Sequence, residues 1–152
     1  MQVTSVSDIT AAVKATLNNH PLTTEVTVED SEIINQVADK CPWVGIYRTR
    51  VQYPIRTLGN QAQSRYQNSE LVLVCQATSL DSGASCAKAV ETLVANVIAA
   101  LFDNQQLKAN DNAPGLIDGW ENVEVHYQSF SKANNVFMQT VNLYITALNR
   151  TN

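Results

Sequence analysis

Residues 81–104 read DSGASCAKAVETLVANVIAALFDN, and the reading of that stretch decides the fold. Ala84, Ala87, Val90, Leu93, Val94, Val97, Ile98, Leu101 and Phe102 recur at a spacing close to one helical turn, which predicts a single long amphipathic helix. Asp81 or Ser82 is placed to cap its first free N–H groups, and Ser82-Gly83 breaks the extended segment before it. Lys88, Glu91, Thr92 and Asn96 interrupt the apolar residues, so the stretch lacks the continuous hydrophobic run a bilayer requires and reads as a core helix of a soluble protein. Such a helix spans about 30 Å, and its apolar stripe needs a partner the size of a sheet.

Working outward, the segments on both sides supply strands. In Glu70–Thr78, Leu71, Leu73, Cys75 and Ala77 share one face while Val72 and Val74 occupy the other, which predicts a strand covered at least partly on both sides. Trp43–Arg50 predicts a strand, in an extended segment that Pro54 confines to a sheet edge or to a position outside the ladder. Trp120–Phe130 alternates Val123, Val125 and Tyr127 with Glu124, His126 and Gln128, and is expected to be half exposed. Turn residues 131–135 join it to Val136–Leu148 in an antiparallel hairpin, whose Met138 and Tyr144 face away from the apolar set and offer a surface to a neighbour.

Nearer the start, Ser5 and Asp8 resemble a capping box for a helix over Val6–Asn18, ended by Asn18-Asn19 and Pro21. Thr23–Val28 reads as a short strand or extended link, and a second short helix carries Ile33, Ile34 and Val37. Residues 56–69, with Gly59 and a Gln/Asn/Ser-rich run, have no regular period and read as a long loop, as do residues 105–119. The expected fold is α+β: a mostly antiparallel sheet of at least four strands, the long amphipathic helix on one face, and shorter helices near the N-terminus.

With 152 residues and 45% hydrophobic content, the chain can bury a core as a single domain over 1–152. A net charge of −4 argues against a surface that tracks nucleic acid or acidic lipid throughout. Cys41, Cys75 and Cys86 are odd in number and form no C-x-x-C pair, so neither a disulfide framework nor a zinc ribbon is expected. Residues 1–13 carry no basic start followed by an apolar run, so no secretory signal and a cytoplasmic location are expected.

The phosphate-loop, dinucleotide, zinc-protease and serine-elbow signatures are all missing from the sequence. His20 reads as a solvated turn residue without a role, and His126 as a solvated cross-strand residue. Asp118, Glu121 and Glu124 read as an acidic strand entry rather than an acid/base pair, and Glu25, Glu29, Asp30 and Glu32 lack the spacing of a calcium loop. No catalytic, cofactor-binding or metal-binding residue is therefore expected.

The charge pattern says more. No acid lies between Asp39 and Glu70, whereas Lys40, Arg48, Arg50, Arg56 and Arg65 do, interleaved with Tyr47, Tyr53 and Tyr66. Arginine forks suit carboxylates and phosphates, and tyrosines accompany them at interfaces. A protein interface, a solvated face and a nucleic-acid contact compete as readings. The interface reading points to Arg48, Arg50, Tyr53, Arg56, Arg65 and Tyr66.

The run from Cys41-Pro42-Trp43-Val44-Gly45 through Ile46-Tyr47-Arg48, then Pro54-Ile55-Arg56-Thr57-Leu58-Gly59, a hydrophobic strand ending near Gln76, and Ser82-Gly83 opening a long helix resembles the tail terminator proteins of long-tailed, siphovirus-like bacteriophages. The closing hairpin is similar too, so the resemblance covers residues 41–148. It implies a structural virion protein, not an enzyme, that forms a homohexameric ring on the head-proximal end of the tail tube. There it ends tube polymerisation and presents a surface to the head connector and neck proteins. It also implies assembly in the host cytoplasm, no cofactor, no membrane, and DNA only as cargo passing through the lumen. Head-completion or neck adaptor proteins share the size and acidity, and a small-molecule-binding α+β module is a further alternative.

Overall fold

The computed structural model describes residues 4–30, 40–53, 56–58, 61–63 and 66–150. In chain order these form α1 (Val6–Asn19), β1 (Thr27–Glu29), β2 (Trp43–Gln52), β3 (Arg56–Leu58), β4 (Gln61–Gln63), β5 (Tyr66–Ser79), α2 (Gly83–Asp103), β6 (Gly119–Tyr127), β7 (Ser131–Ala133) and β8 (Val136–Arg150). The main sheet runs β1-β2-β5-β8-β6, with β7 continuing beside β8. Its long pairs are antiparallel, as expected, but β1 joins β2 in parallel, so the sheet is mixed. That pair arises because the chain leaves β1 and returns to enter β2 from the same end, a connection a hairpin cannot make.

Helix α2 packs on β5 and β8, and α1 packs against α2, β1 and β2. The buried layer between helices and sheet holds Val90, Leu93, Val94, Val97 and Leu101 from α2 against Leu71, Leu73, Val141, Leu143 and Ile145. Lys88, Glu91 and Thr92 are exposed on the other side of α2, so its length and hydropathy, which resemble those of a membrane span, serve core packing instead. The helical stripe is shifted from the expected one: Cys86 is buried, whereas Ala84 and Phe102 are exposed.

Ser82 caps α2, its hydroxyl accepting a bond from the Ser85 N–H at 3.1 Å. Ser5 precedes α1 without any side-chain cap bond, so the expected capping box does not form. Ser82→Ala should therefore lower stability by about 0.5–2 kcal/mol. Ser5→Ala should cost less, and urea midpoints at unchanged slope compare the two.

Three expectations are corrected. Residues 56–69 are not a structureless loop: β3 and β4 pair antiparallel, and β5 begins at Tyr66. The stretch 131–135 is turn only at Asn134 and Asn135, whose φ values of 50° and 64° suit a two-residue hairpin; Ser131–Ala133 is strand. Loop 105–119 is not purely polar in its packing, because Leu107 and Ile117 are buried and the Gln106 carbonyl accepts from Leu116 N–H at 2.8 Å. The second short helix and the Pro54 edge lie outside the described residues.

Candidate functional site

Pairing registers give the geometry of the sheet face opposite the helices. Tyr47, Val72, Tyr144 and Glu124 form one cross-sheet row, and Arg50, Glu70, Thr146 and Asn122 form the next. Both described helices lie on the other face, so this outer face meets no helix among the described residues. Val72, Val74, Met138 and Tyr144 are half-buried there, with His126 edge-on to Tyr144 at a ring separation of 5.0 Å.

Two bulges shape the edges. In β2 the register shifts between Arg48 and Arg50, and in β6 between Trp120 and Asn122, which leaves Thr49 and Glu121 as the extra residues. The first shift changes the face of the strand: Arg48 is in phase with the buried Val44 and Ile46, whereas Arg50 reaches the outer face beside Glu70. Thr49 donates from its hydroxyl to the Glu70 carboxylate at 2.9 Å, and Arg50 Nε lies 3.3 Å from the other carboxylate oxygen. Glu70 is thus a satisfied structural acid. Together with Asn68, Gln52 and Asn122 these groups line a polar hollow on the outer face.

The predicted interface residues are only partly brought together. Arg48 and Arg50 lie on β2 towards the end where the β3–β4 connection leaves the sheet, and Tyr53 and Tyr66 flank that connection, 41% and 39% exposed. Arg56 is placed in β3, paired with Gln63, and Arg65 lies outside the described residues. The window is also less purely basic than its sequence. Lys40 binds Glu29 at 2.7 Å, and this contact holds the Glu29 carboxyl below the usual range. Cross-strand Glu70 faces Arg50, a pairing visible only once the register is known.

His20 is not the solvated turn residue expected. Its Nε2 lies 2.7 Å from Asp103 at the end of α2, its Nδ1 accepts from Leu22 N–H at 3.2 Å, and its side chain is 17% exposed. It ties the ends of the two helices together. His126 is half exposed beside Glu124 at 3.2 Å, as a cross-strand residue should be. Among the described residues no three His, Cys, Asp or Glu side chains gather in a way that would hold a metal ion.

The thiols are chemically quiet. Burial pushes Cys75 up to about 12 and Cys41, which also feels Cys86, to about 11. The buried Cys86 rises for the same reason, and its Sγ donates to the carbonyls of Ala77 and Phe137 at 3.4 and 3.5 Å. Because the thiolate is the nucleophile, iodoacetamide should label the folded chain slowly at neutral pH. Labelling of Cys41 should still be accelerating at pH 10, and unfolding in urea should restore ordinary thiol rates, both readable by mass spectrometry.

Comparison of the chain with protein-family models and with curated proteins finds no match.

Proposed function

We propose that the chain is a structural assembly protein of the tail terminator kind, which forms a ring at the end of a phage tail tube and joins it to the head connector. The observation that carries this reading is the grouping of Arg48, Arg50, Tyr53 and Tyr66 around one end of a sheet whose outer face carries no described helix. Arginine and tyrosine dominate interface energetics, and here they flank a connection that itself forms a small hairpin. The residue pattern of 41–148 supplies the resemblance to the terminator family. The paired histidines and suppressed thiols support a structural rather than a catalytic role.

The test is to add the purified chain to polymerising tail tubes and measure tube length and end occupancy by electron microscopy. Capped tubes of arrested length are expected. Binding to the head connector without any effect on tubes would transfer the chain to the neck adaptors. Charge reversal at Arg56 and Arg65 should weaken assembly while the far-UV circular dichroism of the chain stays that of the wild type.

A further inference from the structure

The uncovered part of β2 and the first half of β6, on opposite sides of the main sheet, carry exposed residues of unlike charge. On one side β1 covers β2 only from Trp43 to Gly45, so the remainder of β2, with Arg48 and Arg50, has no described strand beside it. On the other side β6 is the terminal strand, with Glu121 and Glu124 exposed and the Glu124 side chain 63% accessible. The Arg50 side chain is 61% accessible; its Nε faces Glu70, and the planar fork has further donors. From these placements we propose that copies of this chain associate head to tail, the β2 edge of one against the β6 edge of the next.

Three features of the sheet argue for this occupant and this geometry. Adjacent long strands are all antiparallel from β2 to β6, so β6 and β2 run in opposite directions. A second copy kept in the same orientation therefore brings its β2 antiparallel to β6. The rows also match in level, because Arg50 shares a row with Asn122, which lies next to Glu121, and the next row ends in Glu124. Finally, a two-fold contact would set Glu121 and Glu124 against their own copies, or Arg48 and Arg50 against theirs, and like-charge juxtaposition disfavours both. Only the unlike edges attract, and a contact between two different patches closes into a ring or extends as a filament.

The bulges at Thr49 and Glu121 flank the Arg50–Asn122 row. They interrupt the outward ladder on both edges, which blunts indiscriminate strand addition and leaves partner choice to the charges. This inference deepens the ring reading above and rests on it for biological meaning, but its physical content concerns the isolated chain.

The experiment is light scattering on the full chain over a concentration and salt series, with an acidic-edge variant (R48E with R50E) and a basic-edge variant (E121K with E124K). The wild type is expected to assemble at low salt into multiples of 16.7 kDa and to dissociate as salt rises. Each variant alone should associate more than about tenfold more weakly, and an equimolar mixture should restore assembly, since each then offers the other two matched edges. A wild type that stays monomeric at all concentrations overturns the proposal, as does assembly indifferent to salt. So does a mixture that stays monomeric while circular dichroism shows both variants folded. If a variant fails to fold, the wild-type salt series decides. Assembly that obeys the swap without capping tubes would remove the terminator reading and keep the interface, whereas capping by both single-edge variants would do the reverse.

Discussion

Leu101→Ala is expected to lower the free energy of unfolding by about 2–5 kcal/mol, the range for truncating a buried leucine. Leu101 is 2% exposed in the layer between α2 and the sheet, and the backbone around it is held in place. Its carbonyl accepts from the Trp120 indole at 3.2 Å and from Asn104 N–H at 3.3 Å, so the helix end cannot collapse freely into the space left by the side chain. Limited relaxation pushes the cost upward, because the residual cavity adds to the lost transfer energy. The neighbouring Phe102 is the control: it is 46% exposed, and Phe102→Ala should cost far less despite removing more atoms. Urea unfolding of both variants measures the difference. Equal effects would mean that α2 packs in a different rotation about its axis.

Gly45→Ala is the second large effect. Trp43, Gly45 and Tyr47 share the outer face of β2, and the two rings fold towards each other over the glycine. A Cβ at Gly45 would overlap the Trp43 ring edge, lying 2.7 Å from its Cζ2, and would sit 2.9 Å from Tyr47 Cε2. Trp43 is only 2% exposed, so its ring has little room to move away. Overpacking of this kind costs about 1–3 kcal/mol, and Gly45→Val should cost more. Near-UV circular dichroism should change with the tryptophan environment, while far-UV spectra keep the strand signal. Full stability in Gly45→Ala would show that the two rings are free to swing outward.

How much was legible depended on how each element earns its stability. The core strands and α2 were legible because Leu71, Leu73, Cys75, Val141, Leu143 and Ile145 alternate as a half-buried strand must. The first residues of β5 were not, because Gln67 and Ser69 are polar and still fully buried on the same face. The Gln67 amide is satisfied by a distant backbone: it accepts from Thr4 N–H at 3.0 Å and donates to the Thr4 carbonyl at 2.8 Å. A burial made tolerable by a partner 63 positions away leaves no local pattern. The β3–β4 hairpin was hidden for a related reason, since its Gln, Ala and Thr residues carry no apolar alternation to announce a strand. The shared basic segment was visible as composition, but its division into Arg48 and Arg50 on opposite faces follows from a one-residue bulge.

By itself the amino-acid sequence determined the helix at 83–103, the core-facing alternation of the long strands and the closing hairpin. These follow from local periodicity, which depends only on residues a few positions apart. Tertiary structure alone decided the parallel pairing of β1 with β2, the pairing of Arg50 with Glu70 and of His20 with Asp103, and the placement of Arg48 and Arg50 on the opposite side of one sheet from Glu121 and Glu124. Each of those joins residues far apart in the chain, and the free energy that selects them is shared with the packing of the whole core rather than written in any one segment.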